Sequence, residues 1–358
     1  MNTETANPTI TKSKHHFEIL DGMRGIAAIA IVIFHFMEIV YTPDKNFIGH
    51  GFLAVDFFFC LSGFVIAYAY DDRIGKMGLV EFFKSRIIRL HPMVILGSVL
   101  GLLAFLFDPF TAASTAGYSI GKTILIFLSS ALLIPYPVME GRFFNLFGLN
   151  APSWSLFWEY TANIVYAFVL FRTGRRSLIA LTALSAAVLV WVANDAGSLL
   201  GGWAGENFWD GGARIAYSFL TGLLIFRFKL IIKNKLGFIG LSALLLLALL
   251  MPFSWGWPGE LAVVMLYFPL LVALGAGADV APQVKKICTF SGNISYPLYM
   301  THYAVMWMFG AYYAKHHPGT GMLTIIIIAG TTLLVGFAYL AMILYDIPLR
   351  KYLNARRK

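Results

Sequence analysis

Residues 20–38 read LDGMRGIAAIAIVIFHFME, and the reading of this stretch decides the fold. It is an apolar helix sequence with a cation, Arg24, near its start and an imidazole, His35, well inside. Eleven steps at about 100° each make three turns plus roughly 20°, so both side chains leave the helix on one face. At about 1.5 Å per residue they stand about 16 Å apart along the axis, roughly half the hydrocarbon thickness of a bilayer. In a spanning helix Arg24 sits at one surface and His35 near the middle. An ionisable group at that depth is costly and marks a functional site by default.

The rest of the chain has the same character. Of its 358 residues, 59% are hydrophobic and 13% charged, whereas a soluble domain carries about 25% charged residues. So few charges cannot cover a water-facing surface. The chain reads as an all-α, polytopic transmembrane helix bundle with no room for a large soluble appendage. The net charge of +9 does not point to nucleic acid, because Lys and Arg cluster between apolar runs, as they do in cytoplasmic loops. Cys60 and Cys288 offer neither a disulfide framework nor a zinc spacing, and no metal is expected. The first apolar run lacks a small-residue cleavage site and is read as a retained span.

Eleven apolar runs follow one another, at about 18–40, 51–70, 92–107, 122–138, 154–171, 177–194, 212–228, 236–252, 259–276, 290–313 and 321–345. Residues 71–89 read as a charged loop, and Gly97 and Gly101 allow close helix contact. The basic segments at 71–89, 172–176, 227–235 and 285–286 and both termini belong on the cytoplasmic side. That requires an even number of crossings. The run 122–138 is short and is closed by Pro135 and Pro137. It is expected to be a partial or re-entrant element beside ten spanning helices. The expected organisation is a disordered cytoplasmic tail (1–16), a membrane domain (17–346) and a basic cytoplasmic tail (347–358), all in the inner membrane.

Several groups can carry chemistry. His35 reads as a general base whose ordinary pKa is close to working pH, or as a histidine satisfied by a neighbouring carbonyl. Glu38, one turn on, either orients that ring or is an acid at the membrane interface. Arg24 combines with Arg86 and Arg89, which share a face at i, i+3. Guanidinium forks suit phosphate, although basic residues at a helix end also simply fix topology. Asp56 in a Phe-rich run needs a partner. Ser62 beside Gly63 reads as a packing notch, since no G-x-S-x-G elbow is present. Trp154 and Ser155 precede Glu159, which lies about one turn inside a span, where it pairs with a cation, orients a histidine or marks an aromatic belt. His302 is a second histidine within a span, with a helical hydrogen bond as the plainer reading.

In sequence order these residues resemble the acyltransferase-3 family of integral-membrane acyltransferases. The matching segments are Leu20-Asp21-Gly22-Met23-Arg24-Gly25-Ile26-Ala27 leading to His35, Phe57-Phe58-Phe59-Cys60-Leu61-Ser62-Gly63-Phe64, Arg86-Ile87-Ile88-Arg89-Leu90-His91-Pro92, Trp154-Ser155-Leu156 with Glu159, and Ile294-Ser295-Tyr296 through His302. The resemblance covers about 18–345 and implies a ten-helix bundle. It implies transfer of an acyl group, commonly acetyl from acetyl-CoA, to a hydroxyl of a carbohydrate or glycolipid acceptor at the outer face, among membrane lipids. Arg24 and His35 match the family's paired Arg and His. On this reading Arg24, Arg86 and Arg89 receive the acyl-CoA phosphates, His35 does the chemistry, and Glu159 or Glu38 orients or charge-balances the imidazole. No fused extracytoplasmic domain is expected. The competing class is a secondary transporter or exporter of a glycan or small polar solute, with Asp56, His35 and Glu159 as a proton relay. A non-catalytic membrane scaffold would need no aligned Arg and His.

Overall fold

The computed structural model describes residues 16–111 and 117–357; apart from His16, the expected N-terminal tail lies outside them. The described residues form helices and connecting turns, with two isolated β-bridges and no strand. The chain is an all-α membrane bundle. Its principal helices are α1 (Glu18–Val40), α2 (Ala54–Tyr70), α3 (Leu79–Leu106), α4 (Ile120–Leu132), α5 (Ser153–Phe168), α6 (Arg175–Ala196), α7 (Phe208–Arg227) and α8 (Gly237–Leu249). After them come α9 (Gly256–Ala262, continued through a π-turn into Phe268–Gly277), α10 (Pro282–Thr301), α11 (Tyr303–His316) and α12 (Thr320–Ala341, continued through a second π-turn into Ile347–Ala355).

Among the described residues six helical stretches are long and apolar enough to cross a membrane: Glu18–Val40, Gly51–Tyr70, Leu79–Leu106, Arg175–Ala196, Phe253–Gly277 and Thr320–Ala355. α7 and α10 have 20 residues each but are more polar. α4, in the run expected not to cross, has 13 residues, and so does α8. Thirteen residues rise about 20 Å, short of a hydrocarbon core of about 30 Å.

Two expectations are corrected. The segment 71–89 is not a loop throughout: α3 starts at Leu79 and runs unbroken through Pro92. Membrane helices tolerate proline where neighbours take up the freed backbone groups, and beside this one the Tyr296 hydroxyl ties α10 to α3 by donating to the Leu90 carbonyl at 2.5 Å. Arg86 and Arg89 therefore sit on a helix. The run 290–313 is not one helix but two, parted at His302. The His302 ring bonds the carbonyls of Leu298 and Tyr299 through Nδ1 at 3.1 and 2.9 Å, so a side chain takes an acceptor that the next turn would use.

α1 is central. Met23, Ala27, Ala30, Ile31 and Phe34 join one apolar cluster, while Ala28, Val32 and Phe36 join another. A helix that is apolar on most sides is a buried one. It packs on α10 at backbone distance: a Cβ at Gly25 would stand 1.8 Å from Ser291 Oγ, and one at Gly292 would stand 2.6 Å from the Asp21 side chain. α2 meets α7 in the same way, with Gly63 against the Phe219 carbonyl and Gly222 against that of Cys60. Gly97 and Gly101 do admit close neighbours, the carbonyls of Met300 and Leu149. Small residues let helices approach where water offers no drive to associate.

Candidate active site

Two cavities lie along α1, one toward each end of it. The first, of about 170 Å³, lies toward its start and is lined by Arg24, Ser62, Arg86, Arg89, Glu159 and Tyr299, among others. The second, of about 780 Å³, lies toward its end and is lined by His35, Glu38, Arg142, Trp154, Arg214 and Tyr303, among others. Val55 and Tyr299 belong to the walls of both. Arg24 and His35 thus face interior space from one helix, at the two ends of this pair.

The first cavity is basic, and its cations are held unequally. Arg24 donates to Asp21 at 2.9 Å, to Ser295 Oγ at 3.0 Å and to the Gly292 carbonyl at 3.2 Å. Asp21 is also 3.2 Å from His16. Arg86 donates to Glu159 at 2.9 Å, and Ser62 donates to the same carboxylate oxygen at 3.2 Å. Arg89 is exposed to the cavity and forms no ion pair among the described residues. Two guanidinium groups are locked in place by carboxylates, and a third is left to meet an anion. Of the readings open for Glu159, pairing with a cation is the one seen: it lies on Arg86 and not on the imidazole. Ser62 helps to hold that carboxylate.

In the second cavity the His35 Nδ1 bonds Glu38 one turn on. A ring whose Nδ1–H is given to a carboxylate keeps its basic lone pair on Nε2. His302 stacks on His35 with centroids 5.2 Å apart and planes 24° apart, and Tyr303 stands edge-on at 4.9 Å. The plain reading of His302, a helical hydrogen bond, holds, but its ring also backs His35, and its buried Nε2 has no partner among the described residues.

Asp56 finds its partner on α7. It is fully buried and receives Arg214 Nη2 at 2.6 Å and Nε at 3.2 Å; Arg214 is 1% exposed. Arg214 also donates to the Gly201 carbonyl at 2.8 Å and lies 5.1 Å from the Trp154 ring. Ser155 donates to the Pro152 carbonyl at 2.9 Å, so it receives the Tyr299 hydroxyl at 2.8 Å. This bond fixes Tyr299 in the wall between the cavities. Asp56, His35 and Glu159, which the transport reading groups as a proton relay, are each engaged in a separate pair.

Sequence reading missed Arg214, Arg142 and Tyr299. The first had a signal: a carboxylate buried at Asp56 demands a cation, and Arg214 lies in another apolar run.

Fold and site together define a polytopic membrane protein built around an imidazole that faces one cavity and shares a helix with Arg24, one of the basic groups of another. The chain belongs to the acyltransferase-3 family, whose acyltransferase domain matches residues 17–342. It is similar to "Protein 2 in picA locus" of Rhizobium radiobacter, 33% identical over 201 residues that make up 50% of this chain and 95% of that protein. It is also similar to O-acetyltransferase OatA of Staphylococcus aureus (strain NCTC 8325 / PS 47), 38% identical over 79 residues. Those residues are 21% of this chain and 12% of OatA. No solved structure matches the chain.

Proposed function

We propose that this protein is a membrane O-acyltransferase that moves an acetyl group from cytoplasmic acetyl-CoA to a hydroxyl of a carbohydrate or glycolipid at the outer face of the inner membrane. One observation carries the reading: the basic cavity and the His35 cavity share Val55 and Tyr299 in their walls and take Arg24 and His35 from the same helix. Family membership supports acyl transfer, and OatA's name supports an oxygen acceptor and an acetyl group. The basic segments at the α1 N-terminal end support a cytoplasmic placement of that end, with both termini there.

The CoA phosphates dock at Arg89, in the cavity it shares with the pre-set Arg24 and Arg86, where planar forks suit phosphate oxygens. The pantetheine arm reaches past Tyr299 and brings the thioester carbonyl to His35. His35 Nε2 takes the proton of the acceptor hydroxyl, the oxygen attacks the carbonyl, and the CoA thiolate leaves. Glu38 stabilises the imidazolium that forms, as a carboxylate does for a histidine base. Glu159 acts on the donor side, by holding Arg86.

In a strain lacking this protein, mass spectrometry of surface glycans is expected to lose an ester-linked acetyl mass. An unchanged glycan spectrum, together with no acetyl-CoA consumption by the purified protein, would sink the reading. Arg89→Ala is expected to raise the KM for acetyl-CoA about tenfold, the value of one charge-assisted contact, with kcat nearly kept. An unchanged KM removes Arg89 from the phosphate site.

A further inference from the structure

The wall of the second cavity holds a cation that the chemistry above does not use. Arg142 lies in the connection between α4 and α5, in the short turn Glu140–Arg142, and is 8% exposed. Its Nη1 donates to the Gly148 carbonyl at 2.5 Å. Its guanidinium sits 4.8 Å from the Trp307 ring and 5.1 Å from that of Phe105. Nε and Nη2 have no partner among the described residues and are not sealed off, so they open on the cavity. Burial pushes this guanidinium down to about 10, which leaves it charged at neutral pH.

The other charges of the cavity are committed. Arg214 is spent on Asp56 and Glu38 on His35. Asp108 also lines the cavity, but Oδ1 receives the Phe110 amide at 2.9 Å and Oδ2 the Thr111 hydroxyl at 3.0 Å. Arg142 forms no ion pair with it or with any other described residue, and the stretch 112–116, Ala-Ala-Ser-Thr-Ala, contains no carboxylate. Asp108 attracts Arg142 without touching it, and a buried cation whose donors stay open is costly unless a ligand completes it. The wall from it to the imidazole is continuous: Trp307 contacts Tyr303 at 5.2 Å, and Tyr303 contacts His35 at 4.9 Å. Trp154 and Trp203 add flat faces to the same space.

We propose that Arg142 is the recognition group for an anionic substituent, carboxylate or phosphate, on the sugar acceptor, so that this enzyme acylates charged sugars in preference to neutral ones. The inference rests on reading the second cavity as the acceptor's. Its test needs no acyl transfer. The full-length protein in lipid nanodiscs is titrated with glucuronic acid, glucose 6-phosphate and glucose, and binding is followed by saturation-transfer NMR. At least one anionic sugar is expected to bind about tenfold or more tighter than glucose, the value of a charge-assisted hydrogen bond; which one binds separates carboxylate from phosphate. Arg142→Gln is expected to erase that preference and leave glucose unchanged. Because Arg142 also ties down Gly148, Arg142→Lys is measured beside it; it keeps the charge and should keep part of the preference. Raising the salt concentration on the unaltered protein should weaken the anionic sugars alone. Equal binding of all three sugars, or a preference that survives Arg142→Gln, overturns the proposal. A protein that binds anionic sugars but never consumes acetyl-CoA would instead overturn the proposed reaction and leave this recognition standing.

Discussion

His35→Ala lowers acyl transfer by about 10²–10⁴-fold, the usual contribution of a positioned general base, while the protein still inserts and purifies as a folded species. The expectation follows from placement. The ring faces the larger cavity, its Nδ1 is engaged by Glu38, and His302 and Tyr303 fix its plane. A cavity large enough for a sugar therefore meets a nitrogen with its lone pair free. Alanine removes that nitrogen and leaves Phe34 and Phe36, the neighbours that pack the helix, in place. Glu38→Gln keeps the shape but loses the counter-charge, so its loss should be smaller, with kcat falling more than the acceptor KM rises. The measurement is transfer of labelled acetyl from acetyl-CoA in membrane vesicles, with size-exclusion profiles in detergent as the control for folding. Turnover equal to that of the unaltered protein would take His35 out of the reaction.

Asp56→Ala is the substitution with the largest expected cost to stability, about 3–5 kcal/mol, because it strands a buried guanidinium. Asp56 and Arg214 are 0% and 1% exposed, and three of the Arg214 donor bonds end on Asp56. Replacing both at once, with Asp56→Leu and Arg214→Met, should recover much of the loss, since an apolar pair needs no compensation for desolvated charge. Thermal unfolding in detergent reads the difference. If the single and double variants unfold at the same temperature, the pair does not hold α2 to α7 in the way its geometry implies. Arg214 also lines the His35 cavity, so the double variant is expected to fold well and work poorly.

Much of this was visible in the residues. The membrane class follows from charge scarcity alone, and the shared face of Arg24 and His35 follows from helical period. The same period linked Arg86 to Arg89, although the helix that carries them starts thirteen residues before Pro92, where a proline invites a boundary. Pair identities were beyond reach. Glu38 and Glu159 are equally plausible partners for a histidine in one dimension, and only packing sends one to His35 and the other to Arg86. Arg142 was missed, because nothing in a linear pattern says that a connection folds back over a cavity with Trp307 and Phe105 on its guanidinium.

The partition formed by Val55 and Tyr299 has a consequence of its own. Where two recesses of one membrane bundle share wall residues, the seal between them rests on a few side chains. The Ser155 hydroxyl that pins Tyr299 then helps to keep that seal in place. A thioester arm that threads this point would itself act as the stopper while it is there.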